Sequence, residues 1–162
     1  LKWRAYSPQT ARLAELVKAQ PITVQAAELS QALATGRVDR FASSGATGVD
    51  SKVWEQLTHF YDLEGWQPKN MVIVNKAAWD ALAKPMQEAV ATAGKQAEAA
   101  CWADSENLSK GFLDTLSKNG MKVLKPSEGF KNELAGLGRT MTEEWAKTAG
   151  ADGQAILDAY RK

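Results

Sequence analysis

The chain has 162 residues, with 20 Lys plus Arg against 19 Asp plus Glu and a formal net charge of +1. At 44% apolar and 24% charged residues, it has the make-up of one folded domain that can bury a core without staples, not of a disordered chain. The near-zero net charge removes any general electrostatic attraction for nucleic acid or an anionic membrane surface. No apolar run approaches the roughly 20 residues that span a bilayer. The opening Leu1-Lys2-Trp3-Arg4 does not read as a signal peptide.

The first element predicted is a strand over Trp3-Arg4-Ala5-Tyr6, ending at a helix start where Ser7 caps and Pro8 takes the first helical position. Leu13, Leu16 and Val17 give that helix an apolar face, and Pro21 is expected to stop it. The β-branched Ile22-Thr23-Val24 predicts a second strand. A helix from about Ala26 follows, with Leu29, Ala32 and Leu33 inward and Gly36 as its C-terminal cap. A third strand is expected over Val38 to Ala42, then a loop of small residues from Ser43 to Gly48 and a helix over Asp50 to Leu57. Thr58-His59-Phe60-Tyr61 and Asn70-Met71-Val72-Ile73-Val74 are the next strand candidates, separated by a turn with Gly65 and Pro68.

The second half changes character. From Lys84 to Lys118 little breaks a helix, and Met86, Val90, Ala93, Ala97, Cys101, Leu108, Phe112 and Leu116 recur at helical intervals. Such a helix runs about 50 Å at 1.5 Å per residue, longer than a small domain is wide, so it is expected either to kink or to lie across more than one lobe, with its far end meeting a partner surface. Asn119-Gly120 ends it, Met121 to Leu124 gives one more strand, and helices near Glu128 to Thr148 and Gln154 to Tyr160 close the chain. The alternation of strands and helices predicts an α/β fold.

Catalytic and metal chemistry are poorly supplied. His59 is the single imidazole and Cys101 the single thiol, with no second ligand at a zinc spacing. Any triad would need His59 as its base, and an imidazole on a strand without chemistry is the simpler reading. Glu28, Asp39, Asp50 and Glu55 are scattered, with nothing marking two as an acid/base pair.

Binding chemistry is better represented. Arg4, on a strand that should be mostly buried, needs a ligand carboxylate, which its fork fits, or backbone oxygens, an internal acidic partner or an edge position from which to reach solvent. The loop Ser43-Ser44-Gly45 and onward offers hydroxyls and close backbone approach, against the alternative of an ordinary strand-to-helix turn. It lacks the Gly-x-x-x-x-Gly-Lys spacing of a nucleotide loop. Of six Trp residues, Trp66 stands out for lying in a turn, where an indole either walls an organic ligand or plugs the sheet end.

Three pieces together carry a family resemblance: Trp3-Arg4-Ala5-Tyr6, the run Gln25-Ala26-Ala27-Glu28-Leu29 through Thr35-Gly36-Arg37-Val38-Asp39, and Asn75-Lys76-Ala77-Ala78-Trp79. They resemble the solute-binding subunits of tripartite ATP-independent periplasmic (TRAP) transporters, the DctP family. There an Arg-bearing strand, a helix reading roughly Glu-Val-Tyr-x-Ala-Leu-x-Thr-Gly-x-Val-Asp and an Asn-Lys-x-x-Trp segment occur in that order. The resemblance runs along essentially the whole chain but implies only the C-terminal portion of a protein of roughly 300 residues in two lobes, the N-terminal lobe and its secretion signal lying outside it.

The fold so implied is a periplasmic-binding-protein-like lobe with a central mixed sheet flanked by helices. Residues 1–75 would form the βα lobe with ligand-facing loops, 76–120 the long lobe-spanning helix, and 121–162 a strand and closing helices. By position Arg4 resembles the family's carboxylate-binding Arg. Ser43 falls where many members carry a ligand-contacting Asn, with Ser44 and Gly45 beside it. Ala26 stands where many carry a bulkier aromatic, and with Trp66 would leave room for an aromatic acid. The implied activity is capture of an organic acid by lobe closure, without catalysis, cofactor, metal or nucleic acid, and delivery in the periplasm to the transporter's membrane subunits. The competing reading is a half-protein that acts as an interaction or oligomerising fragment through surface meant for the missing lobe.

Overall fold

The computed structural model describes residues 1–66 and 70–161, so the expected Pro68 turn lies partly outside the described residues. The chain begins with β1 (Lys2–Ala5) and α1 (Pro8–Leu16), as predicted. Ser7 caps α1 by accepting from the Thr10 backbone N–H at 3.2 Å, while the Thr10 hydroxyl accepts from the Ser7 backbone N–H at 3.0 Å. Two orphan donors are thereby satisfied at the point where the chain leaves the sheet.

The helix does not end at Pro21. It stops at Leu16, and Lys18 adopts a left-handed φ of 58° that turns the chain. Pro21 lies within β2 (Gln20–Thr23), an edge strand, where a missing N–H can go unpaired. A 3-10 turn over Ala26–Glu28 leads into α2 (Leu29–Ala34). Gly36, at φ 63°, then redirects the chain toward β3 (Arg40–Phe41), shorter than the expected Val38 to Ala42 strand.

The first sheet has the order β2-β1-β3 with both pairings parallel. Arg4 on the central strand is in register with Ile22 on one side and Phe41 on the other. Parallel pairing gathers the carboxyl ends of all three strands, and the residues that follow them, at one end of the sheet.

Between Ser43 and Leu57 the structure corrects the expectation. The helix α3 (Gly45–Asp50) begins inside the stretch expected as a loop, and a 3-10 turn over Val53–Glu55 replaces the expected Asp50 to Leu57 helix. The reason is packing. A Cβ on Gly45 would sit 3.2 Å from the Phe112 Cβ, and one on Gly48 3.3 Å from a Leu116 methyl. These glycines let α3 lie directly on the end of α5 (Lys84–Lys118), and that contact outweighs their low helix propensity.

A second, two-stranded parallel sheet pairs β4 (His59–Tyr61) with β5 (Lys122–Leu124). The expected strand Asn70 to Val74 is not paired: the segment is irregular and exposed. From it the chain enters the short α4 (Lys76–Asp80), whose N-cap Asn75 accepts from the Ala77 and Ala78 N–H groups through one side-chain oxygen. The Gln87 amide then donates to the Trp79 and Leu82 carbonyls, fastening α4 to α5. Finally α6 (Glu128–Tyr160) breaks at Gly150, φ 65° and ψ −148°, matching the two closing helices expected.

The core unites Val24, Leu29, Val38, Val53, Leu116 and Met121, so β2, α2, the last turns of α5 and the start of β5 meet in one cluster. Burial of this kind contributes about 1.5–3 kcal/mol per large aliphatic side chain. Along α1, Arg12 reaches Glu144 of α6 through two parallel hydrogen bonds, Nε to Oε2 at 2.9 Å and Nη2 to Oε1 at 2.6 Å. Both side chains are well exposed, and the fork geometry ties the closing helix to the first sheet.

Candidate functional site

Arg4 occupies the carboxyl half of the central strand and is 3% exposed. Its Nε donates to the Val24 carbonyl at 3.0 Å. The guanidinium carbon lies 4.7 Å from the centre of the Tyr6 ring and 6.0 Å from that of Phe41. Strand alternation explains the first aromatic contact, because residues 4 and 6 share a face; register explains the second, because Phe41 is opposite Arg4. Of the alternatives weighed for a buried Arg, a backbone oxygen serves Nε alone, and no described carboxylate pairs with the guanidinium. Nor does it sit on an edge strand.

Among the described residues, the Arg4 Nη atoms have no protein acceptor. They are also not fully enclosed, since among the described residues the one fully enclosed side-chain polar atom without a partner is Trp3 Nε1. Burial lowers the guanidinium pKa from its ordinary value, with Tyr6 opposing. A guanidinium is in practice always charged in a protein. A charge held in place by one carbonyl and two rings, with both Nη groups lacking a protein acceptor among the described residues, can receive a planar anion bidentately.

The other sequence-predicted residues distribute around this point unequally. Ala26 is exposed and begins the 3-10 turn two residues after Val24, whose carbonyl holds Arg4. Ser43 is half-buried and follows β3 on the other side of Arg4. Both therefore leave strands that flank β1, at the same end of the sheet. Ser44 is the N-cap of α3, its hydroxyl accepting from the Thr47 N–H at 3.2 Å. Gly45 meets Phe112. Trp66 is 49% exposed and follows β4 of the second sheet, so the strand pairings do not bring it beside Arg4. Tyr6 and Phe41, which the sequence reading did not single out, are the residues that frame the guanidinium. The alternation of Arg4 with Tyr6 was a usable signal; Phe41 depends on a register that no local pattern specifies.

His59 is exposed, with Nδ1 2.7 Å from the Thr58 hydroxyl, and Cys101 is exposed on α5. Neither faces a nucleophile–base pair. No group of three or more His, Cys, Asp or Glu among the described residues is placed to hold a metal ion. Shallow hollows elsewhere, one against Glu143, Lys147 and Gln154 and one against Val74, Lys76 and Trp79, lack convergent chemistry. No described helix is long and apolar enough to cross a membrane.

Comparison with known proteins shows the family. The family model of bacterial extracellular solute-binding proteins, family 7 (DctP), matches residues 1–149. No curated protein matches the sequence. Among solved structures, the Bordetella pertussis extracytoplasmic solute receptor DctP6, described as binding pyroglutamic acid, is 52% identical with a TM-score of 0.94, covering 98% of this chain and 53% of its own. A TRAP solute-binding protein from an unidentified marine microbe, described as specific for pyroglutamate, is 44% identical with a TM-score of 0.94, covering 99% of this chain and 53% of its own. A TRAP periplasmic protein from Desulfovibrio salexigens with bound orotic acid, at 21% identity and a TM-score of 0.83, shares the fold. The chain thus spans about half the length of the solved relatives it matches. These relatives are described as an extracytoplasmic solute receptor and as solute-binding proteins, and the matched family is one of bacterial extracellular solute-binding proteins. With residues 1–149 matched by the family model, this chain belongs to the DctP family of bacterial extracellular solute-binding proteins.

Proposed function

We propose that this chain is the arginine-bearing part of an extracytoplasmic receptor that captures a small carboxylic acid and hands it to the membrane subunits of a TRAP transporter. The observation that carries the reading is Arg4, buried on the central strand with its Nη groups unpaired. In a protein of the solved relatives' length, the ligand carboxylate accepts from both Nη groups while Tyr6 and Phe41 keep water from the charge. Closure of a second lobe over the sheet end then strengthens the pair, since the Coulomb term grows as solvent is excluded. Residues 1–75 act as the ligand-facing lobe, 76–120 as the lobe-spanning segment and 121–162 as the strand and closing helices.

The relatives at 42–52% identity are described as binding pyroglutamate. We therefore take a compact lactam acid as the substrate class, in place of the aromatic acid that Ala26 and Trp66 suggest. Ser43 and Ala26 flank the ligand, Ser44 and Gly45 act by fixing α3, and Trp66 approaches from the second sheet. Calorimetry on the protein at the relatives' length tests this, using pyroglutamate against 2-pyrrolidinone, the same ring without its carboxylate. Binding of the acid with at least 100-fold preference supports the reading, and equal binding of the two rings, or of neither, contradicts it.

A further inference from the structure

The loop that leaves β4 is tied down by a single side chain from another part of the chain. Asp62 follows the last paired residue of β4, and its backbone N–H donates to the Leu124 carbonyl at 2.8 Å. Beyond it, residues 63–66 make no backbone hydrogen bond among the described residues. Within them Glu64 holds a left-handed φ of 50°, a conformation that a side chain disfavours and that surrounding contacts must support. That support is ionic. The Lys125 Nζ donates to Asp62 Oδ2 at 2.6 Å and to Glu64 Oε1 at 2.8 Å.

Lys125 is the fixed end of this tether. It follows β5 directly and precedes the buried Pro126, and Ser127 then caps α6 by accepting from the Phe130 N–H at 3.2 Å. Phe130 in turn meets the Tyr61 ring edge-on, with centres 6.3 Å apart. The Asp62 side chain is 16% exposed, against 68% for Lys125 and 67% for Glu64, so the ammonium reaches from a braced strand end to a carboxylate largely sheltered from water. Exposed ion pairs contribute little to fold stability. Two of them from one ammonium instead select one shape for a segment that its own backbone does not hold.

We infer that Lys125 is a positioning residue for ligand capture, fixing residues 62–66 and thereby where the Trp66 indole stands. Trp66 is half-exposed and two residues past Glu64, at most about 7 Å of chain. This role rests on Trp66 approaching the ligand from the second sheet. An indole already in place gives up less conformational freedom on binding than one carried by a loose loop.

The test uses the protein at the relatives' length. Without ligand, Lys125→Met should lower the heteronuclear NOE of the Gly65 amide and the Trp66 indole N–H, and Lys125→Arg should keep both, each variant melting within about 2 °C of the parent. In calorimetry with pyroglutamate, Lys125→Met should weaken binding about 3–10-fold and Lys125→Arg should restore it. In a Trp66→Ala background Lys125→Met should cause no further loss, because Lys125 acts through Trp66. Three results overturn the assignment while Trp66→Ala itself weakens binding: unchanged Gly65 and Trp66 signals in Lys125→Met, undiminished affinity in Lys125→Met, or the same loss with and without Trp66. If Trp66→Ala binds as the parent does, or the parent binds no pyroglutamate, the ligand-facing reading has failed and the role of Lys125 falls with it.

Discussion

Replacing Arg4 by Met separates a binding arginine from a structural one. In the ligand-free protein Arg4 is a buried charge without a carboxylate, and removing it relieves a desolvation cost of several kcal/mol. Against that stand the lost hydrogen bond to the Val24 carbonyl, about 1.5–3 kcal/mol for a charged donor, and the stacking on Tyr6 and Phe41, about 0.5–2 kcal/mol. Met keeps the apolar stem's volume, so the terms nearly cancel, and urea unfolding should shift by about 1 kcal/mol or less in either direction. The ligand complex behaves differently. There the substitution leaves a desolvated carboxylate unpaired, which costs about 3–5 kcal/mol, so calorimetric affinity at the relatives' full length should fall by about 10²–10⁴-fold. Arg4→Lys keeps the charge, loses the fork and should fall between. A loss of stability above about 3 kcal/mol with affinity within tenfold of the parent would refute the reasoning, since Arg4 would then be holding the sheet and not a ligand.

Other outcomes follow from the packing. Leu116→Ala removes a fully buried side chain where α5 meets α3 and the core, and should cost about 2–5 kcal/mol in chemical denaturation. Gly48→Val forces methyls onto Leu116 and Val53, already 3.3 and 3.5 Å from a single added Cβ, and should destabilise by about 1–3 kcal/mol. By contrast Gly94→Ala on exposed α5, with open space around it, should stabilise by about 0.5–1 kcal/mol. The Arg12 hydrogen bonds hold the Glu144 carboxyl below its ordinary 4.5. A depressed folded pKa means stabilisation is complete above the unfolded value and is lost as pH falls through the folded one. The difference in melting temperature between parent and Glu144→Gln should therefore be largest near neutral pH and vanish in acid; a difference independent of pH would show the pair contributes no charge effect.

Sequence reading succeeded where local signals and tertiary packing agree. The Ser7-Pro8 start of α1 and the 35-residue span of α5 are set by a cap, a proline and the absence of breakers, and the structure keeps both. It failed where distant contacts override propensity. Gly45 and Gly48 look like loop residues, yet the close approach of α5 makes them helical. Asn70 to Val74 has the composition of a strand but no partner strand among the described residues, and a strand exists only by pairing. Pro21 reads as a helix stop, and its tolerance on an edge strand follows from a sheet order that no local pattern contains. At the candidate site, the burial of Arg4 was legible from its place on a central strand, and what its guanidinium meets was not. Phe41 and the Val24 carbonyl, which aim it, come from residues 37 and 20 positions away.

The most direct measurement is a crystal structure of the protein at its relatives' length grown with pyroglutamate. The account predicts both carboxylate oxygens within about 3 Å of the two Arg4 Nη atoms, with Tyr6 and Phe41 closing over the pair. A carboxylate bound to another cation, with Arg4 unchanged and facing no ligand atom, would contradict it.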